Sequence, residues 1–301
     1  MWFILGLAVL AAITTFSNNI LGHKLMPLSL VMGARFTLSG LILLSYQYWF
    51  NYPYFKINPK LTKDHLLACI FGFIVPQVIW GIVTFNLPNA ETSLITSLEP
   101  IIIGLIMFFF YHIKPSRLQL LALIVCTSTL ILITFFEAQV EHALIFSHLG
   151  GLTLLITTSC GYGWLVISEL VRKGEHGIMI TGVGALACGL GSLIVFLAMP
   201  NQQPITFDLE TVSLIMILIV CGELLLHRTR ANLSKNFSPI FLSAINFFTP
   251  FVLVINEIIL YKRQVPAQFF ILIIPALIFT YIFYQEELRL SSFKKKNFTN
   301  S

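Results

Sequence analysis

Apolar runs about 20 residues long recur along almost the whole chain, and the charges collect in the short stretches between them. A run of that length, rising about 1.5 Å per residue as an α-helix, crosses roughly 30 Å of hydrocarbon. Ten runs meet or approach it, near residues 2–21, 28–50, 65–85, 90–111, 117–136, 149–171, 178–199, 212–231, 238–260 and 266–285. The pattern predicts an all-α polytopic membrane protein with ten transmembrane helices. The first run lacks a positive leading segment, is as long as a span and leads straight into more spans, so it is expected to stay as the first helix. Residues 288–301 are polar, include Lys294, Lys295 and Lys296, and read as a disordered basic cytoplasmic tail.

Composition sharpens this reading. With 57% hydrophobic residues, 10% charged residues and a mean hydropathy of +0.87, the chain is too apolar for an ordinary soluble domain. The formal charge of +5 does not point to nucleic acid, because the basic residues lie between apolar runs instead of forming a stripe. Their placement reports topology. Lys56, Lys60, Lys63, Lys114, Arg117, Arg172, Lys173, Arg228, Arg230, Lys235, Arg289 and the three tail lysines fall on one side of the predicted membrane, whereas Lys24, Lys262 and Arg263 fall on the other. By the positive-inside rule both termini are cytoplasmic, which suits an even number of spans. The five cysteines lie far apart inside apolar runs with no metal-ligand spacing, so they read as small packing residues. No metal or cofactor is expected.

The chain also repeats itself. A shift of 150 sets Pro100 on Pro250, Asn86 on Asn236, Ser93 on Ser243, Tyr111 on Tyr261 and Ile124 on Ile274. A shift of 149 sets the segment Gly33–Leu41 on Gly182–Leu190, with Gly33 on Gly182 and Gly40 on Gly189. Two five-helix halves follow, 1–140 and 145–287. Five being odd, the second half enters the membrane from the opposite face, the inverted repeat of many secondary transporters.

These features carry a family resemblance. Ten spans in two similar halves, Arg35 early in the second span, and SLEP ending at Pro100 before a long aliphatic run resemble the EamA-type carriers of the drug/metabolite transporter superfamily. The second half answers with SAINFFTP, Ser243–Pro250, followed by FVLVINEIIL. Such carriers have a Gly-Glu pair about a dozen residues after each proline. Here those places read Tyr111-His112-Ile113-Lys114 and Tyr261-Lys262-Arg263, which marks a divergent branch.

Polar residues inside the apolar runs are the candidate machinery. An ionised carboxylate at mid-membrane costs about 2.5–3.5 kcal/mol or more, so Glu99 is expected to face a protein or water-filled interior. It could titrate, bind a cationic part of a solute, or sit neutral against a hydroxyl and serve packing alone. Pro100 and Pro250 are expected to break their helices and leave carbonyls that line a cavity. Thr249 stands where the second half would repeat Glu99, so the halves are not equivalent. Arg35 could bind a solute carboxylate, pair with Glu99, or snorkel. Glu223, His227 and Arg230 at i, i+4 and i+7 share a helical face, as a relay or cation site, unless the eighth span ends early and leaves His227 and Arg230 at the interface. Gln77 and Trp80 in the third span, Asn18 in the first, Tyr162 and Trp164 in the sixth and Asn246 in the ninth could add donors and an aromatic wall, or serve packing.

No GxxxxGK[ST] motif is present, so the chain does not carry an ATP site of that kind. The expected function is a secondary carrier of a small metabolite, working by alternating access on a proton or solute gradient. The resemblance implies amino acids or related compounds, often exported, in the cell membrane. The expected partners are thus the small-molecule solute, membrane lipids and protons as candidate coupling ions. A competing reading is an intramembrane lipid-modifying enzyme built on Glu223 and His227. The only aspartates, Asp64 and Asp208, lie in connectors, which argues against a paired-aspartate protease. A non-transporting membrane scaffold is the third reading.

Overall fold

The computed structural model describes residues 6–7, 9–11, 13–14, 17, 20–21, 28–50, 59–83, 98–112, 116–137, 148–198, 208–244, 246, 258, 271, 274–275, 278–279, 281–287 and 289. The side chains of 28, 59, 80–83, 126, 130–137 and 148–150 are not among those described. All regular elements among the described residues are helical. In chain order they are α1 (Leu28–Phe50), α2 (62–83), α3 (Glu99–Tyr111), α4 (Arg117–Glu137), α5 (His148–Arg172), α6 (Gly177–Ala198), α7 (Leu209–Leu233) and the short α8 (Pro239–Ser243). Among the described residues five stretches are long and apolar enough to cross a membrane: Ser29–Phe50, Thr62–Ile79, Gly151–Arg172, Gly177–Ala198 and Leu209–Leu233. Helices α1 to α7 coincide with the second to eighth expected spans. The first, ninth and tenth fall largely outside the described residues, as do Asn18, Pro250 and the tail.

Local chemistry sets the helix ends. Pro100 lies in the first turn of α3, where a missing N–H leaves no hydrogen bond unmade, so among the described residues it starts a helix instead of interrupting one. Residues 90–97, the first part of the span in which a break was expected, lie outside the described residues. The same helix stops at His112, whose left-handed φ of 54° lets its N–H bond back to the Met107 carbonyl. Ser116 and Gln119 cap α4 reciprocally, each side chain accepting the other's backbone N–H. Asp208 caps α7 by accepting from the Thr211 N–H at 2.8 Å. Glu287, expected just past the last span, is helical and buried. It accepts from Gln119 Nε2 at 2.6 Å and from the Ser238 N–H at 3.0 Å, pinning the start of α4 to the start of α8.

Among the described residues the most extensive helix contact is α1 against α6, and it is reciprocal. A Cβ on Gly33 would meet Leu193 at 2.6 Å, and one on Gly182 would meet Leu44 at 3.1 Å. A Cβ on Gly40 would strike the Leu186 backbone N at 2.6 Å, and one on Gly189 the Thr37 backbone N at 2.3 Å. Each contact is converted into the other by the shift of 149. A second pair of contacts is related by the two shifts together, 150 for Gly72 to Gly222 and 149 for Thr14 to Gly163: Gly72 faces Gly163, while Gly222 faces Thr14. Small residues let helix backbones approach closely in lipid, where the hydrophobic effect supplies no force between helices. Large apolar side chains such as Trp49, Phe110, Ile194 and Leu197 are exposed on the outer faces of the helices, as a hydrocarbon environment requires.

Gly189→Ala is predicted to force α1 and α6 apart and cost about 1–3 kcal/mol. Gly191→Ala, where an added Cβ meets nothing within 4 Å, should be tolerated. Thermal unfolding of the two purified variants in detergent, side by side, checks the difference.

Candidate functional site

Most of the polar side chains singled out from sequence converge in the interior. Arg35, 4% exposed on α1, meets Glu223, 1% exposed on α7. Its Nε and Nη2 both donate to Glu223 Oε1, at 2.9 and 2.5 Å. The other carboxylate oxygen, Oε2, lies 2.7 Å from His227 Nδ1. Residues Leu218–His227 are wound as a π-helix, in which side chains four apart lie nearly one above the other, and this brings Glu223 and His227 together. Gly222 makes room for the arginine: a Cβ there would sit 3.3 Å from Arg35 Nη2.

A second pair lies further along α7. Arg230 Nη2 donates to Glu99 Oε1 at 2.5 Å, and Asn246 Nδ2 donates to Glu99 Oε2 at 2.5 Å. Glu99 stands in the first turn of α3, where the helix dipole favours a negative charge. Gly161 on α5 accommodates its stem, an added Cβ there lying 3.7 Å from Glu99 Cγ. Trp164 on α5 joins the two pairs. The Arg230 guanidinium lies over its ring, 4.2 Å from the centroid, and the His227 ring meets it edge-on at 5.5 Å. Phe73 on α2 closes the other side of His227 at 6.1 Å.

Arg35 therefore pairs with Glu223, and the Arg35–Glu99 pair considered from sequence does not form. The reason is placement: α1 packs on the π-helical part of α7, whereas Glu99 faces α5 and the last turns of α7. The early end of the eighth span does not occur either, since α7 runs on through Leu233 and Arg230 is 9% exposed. Gln77 and Tyr162 are not drawn into the cluster. Gln77 is half-buried on α2, and Tyr162 packs edge-on against Phe71 at 5.2 Å. The Trp80 side chain, like Asn18 and Pro250, lies outside the described residues.

Phe73 and Gly184 were missed in the sequence, although a signal was there. Under the shifts of 149 and 150, Arg35 falls on Gly184 and Glu223 falls on Phe73. In the structure that second pair is also in contact: the Phe73 ring fills the notch at Gly184, where a Cβ would lie 2.3 Å from its Cδ2. One half holds a buried ion pair where the other holds an aromatic ring in a glycine notch. Two simultaneous departures at repeat-related positions are what a contacting pair produces.

At the end of the bundle where α2 begins and α5 stops, a further set of charges bridges the helices. Lys173 Nζ lies 2.8 Å from Asp64 Oδ2, and His65 Nε2 approaches Glu175 Oε2 at 3.3 Å. The hydrogen bond that Lys173 Nζ donates to Asp64 holds its ammonium above the usual range. Partial burial, with Lys235 and Arg228 nearby, holds the His176 imidazole below its own. Among the described residues no group of three His, Cys, Asp or Glu side chains is arranged to hold a metal ion.

Residues 1–135 match the family model of the EamA-like transporter family. That family belongs to the drug/metabolite transporter superfamily. Members of that family are transporters, and the long apolar helices of this chain are those of an integral membrane protein. No curated protein matches the chain. Among the solved structures 24 chains match, and one crystal structure superposes with a TM-score of 0.72 at 14% identity, covering 95% of this chain and 96% of that one. At that identity the likeness establishes the fold, and it extends well beyond residue 135.

Removing one member of a buried pair strands a charge at a cost of about 3–5 kcal/mol, whereas replacing both with well-packed apolar groups is often neutral. Arg35→Gly and Glu223→Phe are each predicted to destabilise by that amount. The double variant, which copies the Gly184–Phe73 packing, should recover most of the loss. Unfolding midpoints of the four proteins in the same detergent test this.

Proposed function

We propose that the protein is a secondary carrier that moves a small metabolite, an amino acid or related compound, across the cell membrane by alternating access, in the outward direction. The observation that carries this reading is that, among the described residues, both buried arginine–glutamate pairs join the first half of the chain to the second. Arg35 pairs with Glu223, and Glu99 with Arg230 and Asn246. Charges placed this way are held only while the halves keep one arrangement. A solute that takes over one partner therefore changes the balance between arrangements, which is what a carrier requires.

The halves are read as 1–140 and 145–287, five spans each, with both termini cytoplasmic. The reciprocal glycine contacts support an inverted relation between them. Gly33 meets Leu193 while Gly40 meets Leu186, so α1 and α6 run antiparallel. Antiparallel helices that exchange under a two-fold operation have their axis perpendicular to both, and for spanning helices that axis lies in the membrane plane. The first half then opens to one side as the second opens to the other. The solute meets Glu99, Arg230, Trp164 and Asn246 first, with Arg35, Glu223 and His227 beside them. Protons are the candidate coupling ions, through Glu99.

Counterflow of labelled amino acids in proteoliposomes is the test. Saturable exchange that depends on internal solute is expected, and its absence across a broad amino-acid and metabolite panel would count against the carrier. Glu99→Gln is predicted to insert normally and to lose transport or its pH dependence. Unaltered pH-dependent transport in that variant would remove Glu99 from the coupling path.

A further inference from the structure

The two interior ion pairs are unlike. Arg35 holds Glu223 through two nitrogens, with side chains 5% and 1% exposed, and His227 occupies the remaining carboxylate oxygen. Arg230 holds Glu99 through Nη2 alone, with side chains 10% and 5% exposed, and the second oxygen is held by the neutral amide of Asn246. The second pair is the one with fewer bonds to break.

What surrounds the Arg230 guanidinium is also telling. It has a carboxylate at one edge and an indole face 4.2 Å below it. A carboxylate and a Trp face are the two groups that together recognise a flat cation, the first by charge-assisted hydrogen bonds and the second through the ring quadrupole. Asn246 fixes the carboxylate from its far side, and Gly161 of α5 lies beside its stem. These three groups come from α3, α5 and the segment after α8, and so form a pocket for a cationic head into which α7 inserts one of its own side chains.

We propose that Glu99, Asn246 and Trp164 form a cation site that Arg230 fills as a tethered occupant, and that a solute enters by exchanging its own cationic group for that of Arg230. This rests on the carrier reading and specifies which solutes it admits. A simple cation would evict Arg230 and leave a buried guanidinium with no partner, which is costly. A solute that also carries a carboxylate satisfies both ends, its cation on Glu99 and Trp164 and its anion on the released Arg230. The exchange leaves the number of buried charge pairs balanced. Zwitterions are thereby favoured over amines and over acids of the same skeleton.

Chemical rescue tests the site without any transport measurement. In Arg230→Ala the cation site stands open, and guanidinium chloride at low millimolar concentration is the probe, with equal sodium chloride and urea as controls. A saturable rise in the thermal midpoint of Arg230→Ala is expected. The wild type, whose site is filled, should show none, and adding Glu99→Gln or Trp164→Leu should weaken the effect about tenfold or more. Arg230→Gln, which keeps more volume, provides a second background. No saturable rise in either variant would overturn the proposal, as would a rise that survives Glu99→Gln. Failure of both variants to yield monodisperse protein even when purified in guanidinium would also overturn it, since a cation that fits should restore the fold. Because the probe is not the transported solute, absent counterflow with intact rescue would reject the carrier reading and leave the cation site standing.

Discussion

A guanidinium and a carboxylate buried in an apolar helix bundle must meet, because either one alone costs several kcal/mol in that environment. Among its described residues this protein buries two such pairs and divides each between the halves of its chain. The rest of the interior is arranged to make those meetings possible. Glycines at 161 and 222 clear space beside Glu99 and Arg35. The π-helical stretch Leu218–His227 brings His227 within 2.7 Å of Glu223. Trp164 touches both clusters, so neither can be repacked without the other being felt.

The scaffold around these charges is close to symmetric while the chemistry is not. The glycine contacts of α1 and α6 exchange under one shift, and Gly72 with Gly163 corresponds to Gly222 with Thr14 under the shifts of 150 and 149. Against this background the Arg35–Glu223 pair is replaced in the other half by Phe73 on Gly184. The two ends of the bundle differ in a similar way. Asp64 and His65 carry ionic contacts to Lys173 and Glu175, while the repeat-related Leu214 and Ile215 lie in an apolar cluster with Leu21 and Val31. A duplicated scaffold thus carries one polar and one apolar version of the same contact, which suits a device whose two faces must open separately.

Much of this was legible in the sequence. Run length gave the positions of α1 to α7, because a membrane helix must be apolar along its whole length. Cost alone flagged Arg35, Glu99 and Glu223, since charged residues inside such runs are rare without partners. What could not be read was who pairs with whom. Arg35 has two carboxylates to choose from, and the choice depends on which part of α7 packs against α1. The depth of His227 and Arg230 depends on where α7 stops, and Arg228 and Arg230 suggest an interface that α7 in fact runs past. Pro100 stands one position after the start of α3, where its missing N–H is harmless, and residues 90–97 of the same expected span lie outside the described residues.

If the halves rearrange around the paired charges, tying them together should stop turnover. The most direct measurement is counterflow by a variant stripped of its five native cysteines and carrying Asp64→Cys and Lys173→Cys, whose native side chains meet at 2.8 Å across the halves. Crosslinking the two thiols with a short reducible reagent is predicted to abolish exchange, and reduction to restore it. Unchanged exchange with the crosslink fully formed would contradict the account.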